Sequence, residues 1–122
     1  MSSRQIIKDL FGESAGYKVL KKQARERDKY FSITPGFYDG VISQGCFYCG
    51  DSLDDKKGTR LDRVDNRGHY TPDNVVGCCK HCNFAKRSMS AVEFLDWIER
   101  VSRNVEKVRE LLPTLKNNRD SQ

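Results

Sequence analysis

Apolar residues recur along this chain at three- and four-residue steps, broken by one long polar, turn-rich stretch. Ile6, Ile7, Leu10 and Phe11 mark one side of a short helix over residues 4–11. From Ser14 to about Lys29, the spacing of Tyr17, Leu20 and Ala24 predicts a second helix. Its other faces carry Lys18, Lys21, Lys22, Arg25, Arg27 and Lys29 against only Glu26 and Asp28. Tyr30-Phe31-Ser32-Ile33 reads as extended. Thr34-Pro35 supplies an N-cap and a first-turn proline for a third helix, which buries some of Phe37, Tyr38, Val41 and Ile42 and ends at Gly45. Two β-like runs, about Thr59–Val64 and Asn74–Cys78, flank the turn-rich segment 66–73, and a short helix over 83–86 follows. Ser90-Ala91-Val92-Glu93 is a capping box for the last helix, which Pro113 stops. Phe94, Ile98, Val101, Val105, Val108 and Leu112 form a heptad-like seam along it. That seam either packs on the domain's own core or pairs with a second copy in a homodimer, and both readings stay open.

Composition adds two constraints. With 122 residues, 37% hydrophobic and 32% charged, the chain is one domain with a modest core, of the kind a structural metal often staples. Its charge of +5 is confined to residues 1–90, since basic and acidic residues balance from 91 onward. That surplus favours a polyanionic partner. No run approaches the ~20 apolar residues of a membrane span, and Met1-Ser2-Ser3-Arg4 does not open a signal peptide. A reducing cytoplasm is therefore the expected compartment, where paired cysteines bind metal more often than they form disulfides.

Cys46-Phe47-Tyr48-Cys49 and Cys79-Lys80-His81-Cys82 are two C-x-x-C knuckles. The spacing lets both sulfurs of a knuckle reach one tetrahedral ion, so two knuckles make a closed structural zinc site. The 29 residues between them exceed a simple zinc ribbon, so something is built inside the loop. Cys78 is read as a packing residue. A zinc deaminase would need an H-x-E supplying ligand and proton shuttle, and neither histidine fits it. Beside the knuckles, Asp62 ends the first strand and Asn83 opens the short helix; a hairpin pinned beside that helix would bring these oxygen donors together on one Mg2+ or similar ion.

Cys46-Phe47-Tyr48-Cys49-Gly50, the run from Leu61 through Asp62-Arg63-Val64-Asp65-Asn66 to Asp73-Asn74-Val75-Val76, and Cys78-Cys79-Lys80-His81-Cys82-Asn83 together resemble the zinc-bearing branch of the HNH, or ββα-metal, endonucleases. The chain is similar to phage HNH proteins and the endonuclease VII group, over roughly residues 15–100. The resemblance implies an α+β fold: a ββα-metal core with a four-cysteine zinc site, flanked by N-terminal helices and a long C-terminal helix. It implies a basic helical DNA-binding extension over 1–45, the zinc-stapled core over 46–88, the amphipathic helix over 89–113 and a disordered tail over 114–122. Cys46, Cys49, Cys79 and Cys82 match the structural zinc ligands, Asp62 and Asn83 the ligands of a catalytic Mg2+ or Mn2+, and Asn74 the middle Asn that ties down the loop.

One position departs from the family pattern. Most HNH enzymes carry the general-base histidine where this chain has Arg63, which stays protonated and instead serves as a phosphate clamp. Asp-Arg in place of Asp-His is common in this branch. His69 is then the candidate base, with Asp65, Tyr48, Tyr70 and Tyr30 as further candidates, a metal-bound hydroxide without any protein base as the other alternative, and His81 as a bystander. Lys18, Lys21, Lys22, Arg25, Arg60, Arg67, Lys86 and Arg87 are expected against the DNA backbone. The expected function is a metal-dependent DNA endonuclease of phage or mobile-element type, acting in a prokaryotic or phage-infected cell. A catalytically inactive zinc-stapled nucleic-acid-binding module and a protein-interaction domain using the heptad seam are the alternatives.

Overall fold

The computed structural model describes residues 12–55 and 60–115. The helix expected over 4–11 and the tail beyond residue 115 lie outside the described residues. The chain divides into two compact units, residues 1–91 and 92–122.

In the first unit, α1 (Ala15–Glu26) starts where Ser14 accepts a hydrogen bond from the Tyr17 amide. Asp55, far along the chain, reinforces that start: its carboxylate accepts from the Ser14 hydroxyl at 2.8 Å and the Gly16 amide at 3.1 Å. A negative group is favoured there because the first-turn amides have no helical partner. A Cβ on Gly16 would lie 2.4 Å from both Asp55 Oδ1 and the Tyr38 hydroxyl, so only glycine admits this contact. The helix stops at Glu26, three residues earlier than its pattern predicts. Asp28 takes a positive φ of 55°, and the Asp28 and Lys29 amides turn back to the carbonyls of Arg25 and Ala24, a Schellman closure.

The extended segment after it pairs with the hairpin loop: Tyr70 donates its amide to Tyr30, and Ser32 donates to Tyr70, both at 2.9 Å. Helix α2 (Pro35–Ser43) begins at the expected Thr34 cap and proline. Strands β1 (Arg60–Arg63) and β2 (Val75–Cys78) are antiparallel, with Leu61 opposite Gly77 and Asp62 opposite Val76. Helix α3 (Lys80–Lys86) follows β2 directly. It begins three residues before the expected start because Cys79 caps it, its sulfur accepting from the Cys82 amide at 3.3 Å. Asn83 is therefore a mid-helix residue.

One apolar core unites these pieces. Tyr17, Leu20 and Ala24 of α1 and Tyr38 and Ile42 of α2 pack with Ile33, Leu61, Tyr70 and Val75. The helical segment before the first knuckle thus shares its core with the hairpin. Burying each large side chain here contributes about 1.5–3 kcal/mol. Strand alternation then decides what the hairpin presents: Leu61 enters the core, and Asp62 points to the opposite face.

Helix α4 (Ala91–Leu111) opens in the first unit, where the Ala91 amide donates to Val64, and forms the body of the second. A short 3-10 turn, Leu112–Thr114, ends it around Pro113. Ile98, Val101, Val108 and Leu112 of the heptad-like seam are exposed.

Candidate active site

The two knuckles meet at the edge of the hairpin. In the first, the Gly50 amide donates to Cys46 and the Cys46 amide to Asp51, a tight turn completed by Gly50 at φ 83°. The Phe47 amide donates to Gly77 at 2.9 Å and so docks this turn on β2. A Cβ on Gly77 would come within 2.9 Å of Leu53 and 3.2 Å of the Gly45 carbonyl, which keeps the strand bare at this docking point. The second knuckle links β2 to α3. The sulfurs of Cys46, Cys49, Cys79 and Cys82 all lie within 4.8 Å of one another, and Cys49 and Cys79 are 3.8 Å apart. A tetrahedral ion with Zn–S bonds of ~2.3 Å has sulfur–sulfur edges of about 3.8 Å, so the four thiols fit a structural zinc ion. Burial opposes ionisation of Cys46, but the amides of Cys49, Cys79 and Tyr48 outweigh it and bring this thiol down to about 6. Cys78 stays outside the cluster; it is fully buried, and burial pushes its thiol up.

Beside the clip lies an open cleft of about 440 Å³, lined by Arg27, Asp62, Arg63, Tyr70, Asn83 and Arg87, among others. Asp62 and Asn83 both face it, one from β1 and one from α3. The described lining thus holds several arginines and a single carboxylate, an environment suited to phosphate.

Asp62 is held on both oxygens. The Lys86 ammonium donates to Oδ1 at 3.1 Å and to the Arg63 carbonyl at 3.3 Å. The Tyr48 hydroxyl donates to Oδ2 at 2.6 Å. Lys86 is 1% exposed and Asp62 8%, so this is a buried ion pair. Removing either partner alone leaves a buried charge, a loss of about 3–5 kcal/mol. Lys86 therefore differs from its expected place against a DNA backbone. Burial, with Asp62 beside it, raises the Tyr48 phenol, which suits it as a donor and not as a base. The helical step from Asn83 to Lys86, which puts both on one face, was the available signal for this contact.

Arg63 is fixed in two ways: a guanidinium N–H donates to the Gly68 carbonyl at 2.9 Å, and its plane lies over the Tyr70 ring at 5.0 Å. Arg27, which sequence reasoning left on a general basic face, reaches the cleft and donates to the Tyr70 hydroxyl at 2.6 Å. The Schellman turn after α1 and the pairing of Tyr30 and Ser32 with Tyr70 bring it there. Arg87 lies over the ring of Phe84, which is 73% exposed at the cleft.

Asn74 binds the loop across from it. Its carboxamide accepts from the Asp65 amide at 2.9 Å and donates to the carbonyls of Asp65 and His69 at 3.1 and 2.9 Å. His69 does not line the cleft; its Nδ1 accepts from the Tyr30 amide at 3.0 Å. Asp65 is turned toward Arg67, whose side chain and amide hold its carboxyl below the usual range. Lys18, Lys21, Lys22 and Arg25 are exposed on α1, with Lys21 paired to Glu13. Lys21 and Arg25 line a separate shallow depression with Lys29 and Tyr30. Arg60 heads β1, and the expectation for its side chain lies outside the described residues.

A carboxylate has about four lone-pair sites, so Asp62 retains acceptor capacity beyond its two donors. Asn83, the second oxygen donor expected on a divalent ion, lines the same cleft. Among the described residues, no helix is long and apolar enough to cross a membrane.

No family model matches the chain. Over 79 residues, 65% of its length, it is 28% identical to an uncharacterized protein of Acanthamoeba polyphaga mimivirus, and the match spans only 15% of that relative. Among solved structures, it is similar to the rare-cutting HNH restriction endonuclease PacI, with a TM-score of 0.55, 18% identity, and coverage of 84% of this chain and 87% of that one. The chain thus has a small α+β fold of the HNH type, a hairpin and short helix beside a four-cysteine metal site.

Proposed function

We propose that this protein is a metal-dependent endonuclease that hydrolyses DNA phosphodiester bonds, of the zinc-bearing HNH branch found in phages and mobile elements. The observation that carries the reading is the pairing of Asp62 and Asn83 across one arginine-lined cleft beside the cysteine clip. In this reading Asp62 and Asn83 hold Mg2+ or Mn2+, which supplies positive charge to the phosphate under attack and to the departing 3′ oxygen. The chain's own residues bind and orient the phosphate. Arg63, pre-oriented by Gly68 and Tyr70, clamps a non-bridging phosphate oxygen and offsets charge in the transition state. Arg27 and Arg87 neutralise neighbouring phosphates, and the exposed ring of Phe84 offers an apolar face to a sugar or base at the cleft mouth. Tyr48 and Lys86 fix the Asp62 carboxylate, and Asn74 fixes the loop that holds Arg63. His69 lies off the cleft lining, with its Nδ1 held by the Tyr30 amide, whereas Tyr70 lines the cleft.

The test is incubation of zinc-loaded protein with supercoiled plasmid and Mg2+, Mn2+ or EDTA. Metal-dependent nicking or linearisation supports a nuclease. Intact plasmid in every condition, with a salt-sensitive gel shift, would favour a binding module that has lost catalysis.

A further inference from the structure

We propose that Lys86 is a resident counter-cation of the active site, so that a divalent ion loads at Asp62 chiefly together with a DNA phosphate. The inference rests on the nuclease reading, in which Asp62 is a metal ligand. It starts from one unusual contact: the carboxylate that would bind a dication already carries a buried ammonium, 3.1 Å from Oδ1. With Asp62 neutralised by Lys86 and Arg27, Arg63 and Arg87 around the cleft, the protein alone offers an incoming dication a net positive environment. Asn83 adds a dipole and no charge. Repulsion from an ammonium as buried as that of Lys86 is larger than its value in water. A phosphate in the cleft supplies the missing negative charge, so metal and DNA each favour the other's binding by the same factor. Lys86 is well placed for this role because it cannot swing away cheaply: its ammonium is also held by the Arg63 carbonyl, and its side chain is 1% exposed. The arrangement keeps the metal-free protein folded and limits loading of the site before DNA arrives. Lys86 is thus a positioning residue, acting through Asp62.

Mn2+ binding read by electron paramagnetic resonance tests this without any turnover. Wild type, Lys86→Met, Lys86→Gln and Asp62→Asn would be titrated with and without a short DNA duplex, after subtracting Mn2+ bound by the duplex itself. Zinc content and circular dichroism would establish folding. The inference expects Asp62-dependent Mn2+ binding that the duplex tightens at least about tenfold in wild type. It expects Lys86→Met and Lys86→Gln to bind Mn2+ at least about tenfold tighter than wild type without DNA, with a smaller gain from the duplex. Folded variants that bind Mn2+ no tighter than wild type would overturn it. Should neither variant fold, a wild type whose Asp62-dependent binding ignores the duplex overturns it equally. Mn2+ binding identical in wild type and Asp62→Asn under all conditions overturns the nuclease reading itself.

Discussion

Asn74 lets the loop's contribution be worked out bond by bond. Asn74→Ala removes one accepted and two donated hydrogen bonds, all between 2.9 and 3.1 Å, while leaving strand β2 and the core intact. At a net value of about 0.5–1 kcal/mol for each of these exposed hydrogen bonds, the loss is about 1.5–3 kcal/mol. Asn74→Asp sharpens the test. It keeps the acceptor for the Asp65 amide, but where Nδ2 donated it sets a carboxylate oxygen against the Asp65 and His69 carbonyls. It is therefore expected to destabilise at least as much as alanine despite being nearly isosteric. The loop it loosens also supplies the Gly68 carbonyl that holds Arg63, so plasmid nicking should fall along with stability. Urea denaturation of the zinc-loaded proteins gives the stability differences, and nicking rates give the second effect. An Asn74→Asp protein within about 0.5 kcal/mol of wild type would refute the account of how this loop is held.

Other outcomes follow from the same geometry. Arg63→Ala and Arg27→Ala should each lower DNA affinity and reduce the slope of log affinity against log salt by about 1, measured by fluorescence anisotropy; an unchanged slope places that arginine away from phosphate. Tyr48→Phe removes a donor to a buried carboxylate and should cost about 1.5–3 kcal/mol in urea denaturation, with slower nicking; unchanged stability would mean the Tyr48–Asp62 bond is absent in solution. Stripping zinc with a chelator should abolish nicking and lower helicity, because the clip seats α3 and hence Asn83; full activity in zinc-free protein would contradict that role. The Cys46 thiol is depressed, so its ionised form favours the folded state fully above the ordinary thiol range near 9 and loses that effect as pH falls through about 6. In zinc-free protein the stability gap between wild type and Cys46→Ser should accordingly shrink as pH falls from about 9 through 6, and a gap independent of pH would contradict the amide contacts.

The cysteine cluster was legible in the sequence because two C-x-x-C knuckles limit the chemistry, whereas Asn74 was singled out only by the family resemblance and proves to hold the loop. Helix starts were legible because Ser14 and Thr34-Pro35 act locally. Contacts between distant segments were not. Asp55 capping α1, Arg27 entering the cleft and Lys86 burying itself on Asp62 depend on how far each helix runs and where its ends turn. The end of α1 illustrates this. Its expected span runs to about Lys29, yet the left-handed Asp28 halts it and redirects Tyr30 toward Tyr70. Lysine and arginine after Asn83 read alike as basic residues, although one is fully buried and the other exposed.

The central claim, that Asp62 and Asn83 form one phosphodiester-cleaving centre, is tested most directly by nicking of supercoiled plasmid with Mn2+ by wild type, Asp62→Asn and Asn83→Ala at equal zinc content. The account predicts nicking by wild type that EDTA abolishes and that falls by at least about a hundredfold in each folded variant, the scale of losing a main transition-state contact. Nicking that survives intact in both variants would contradict it.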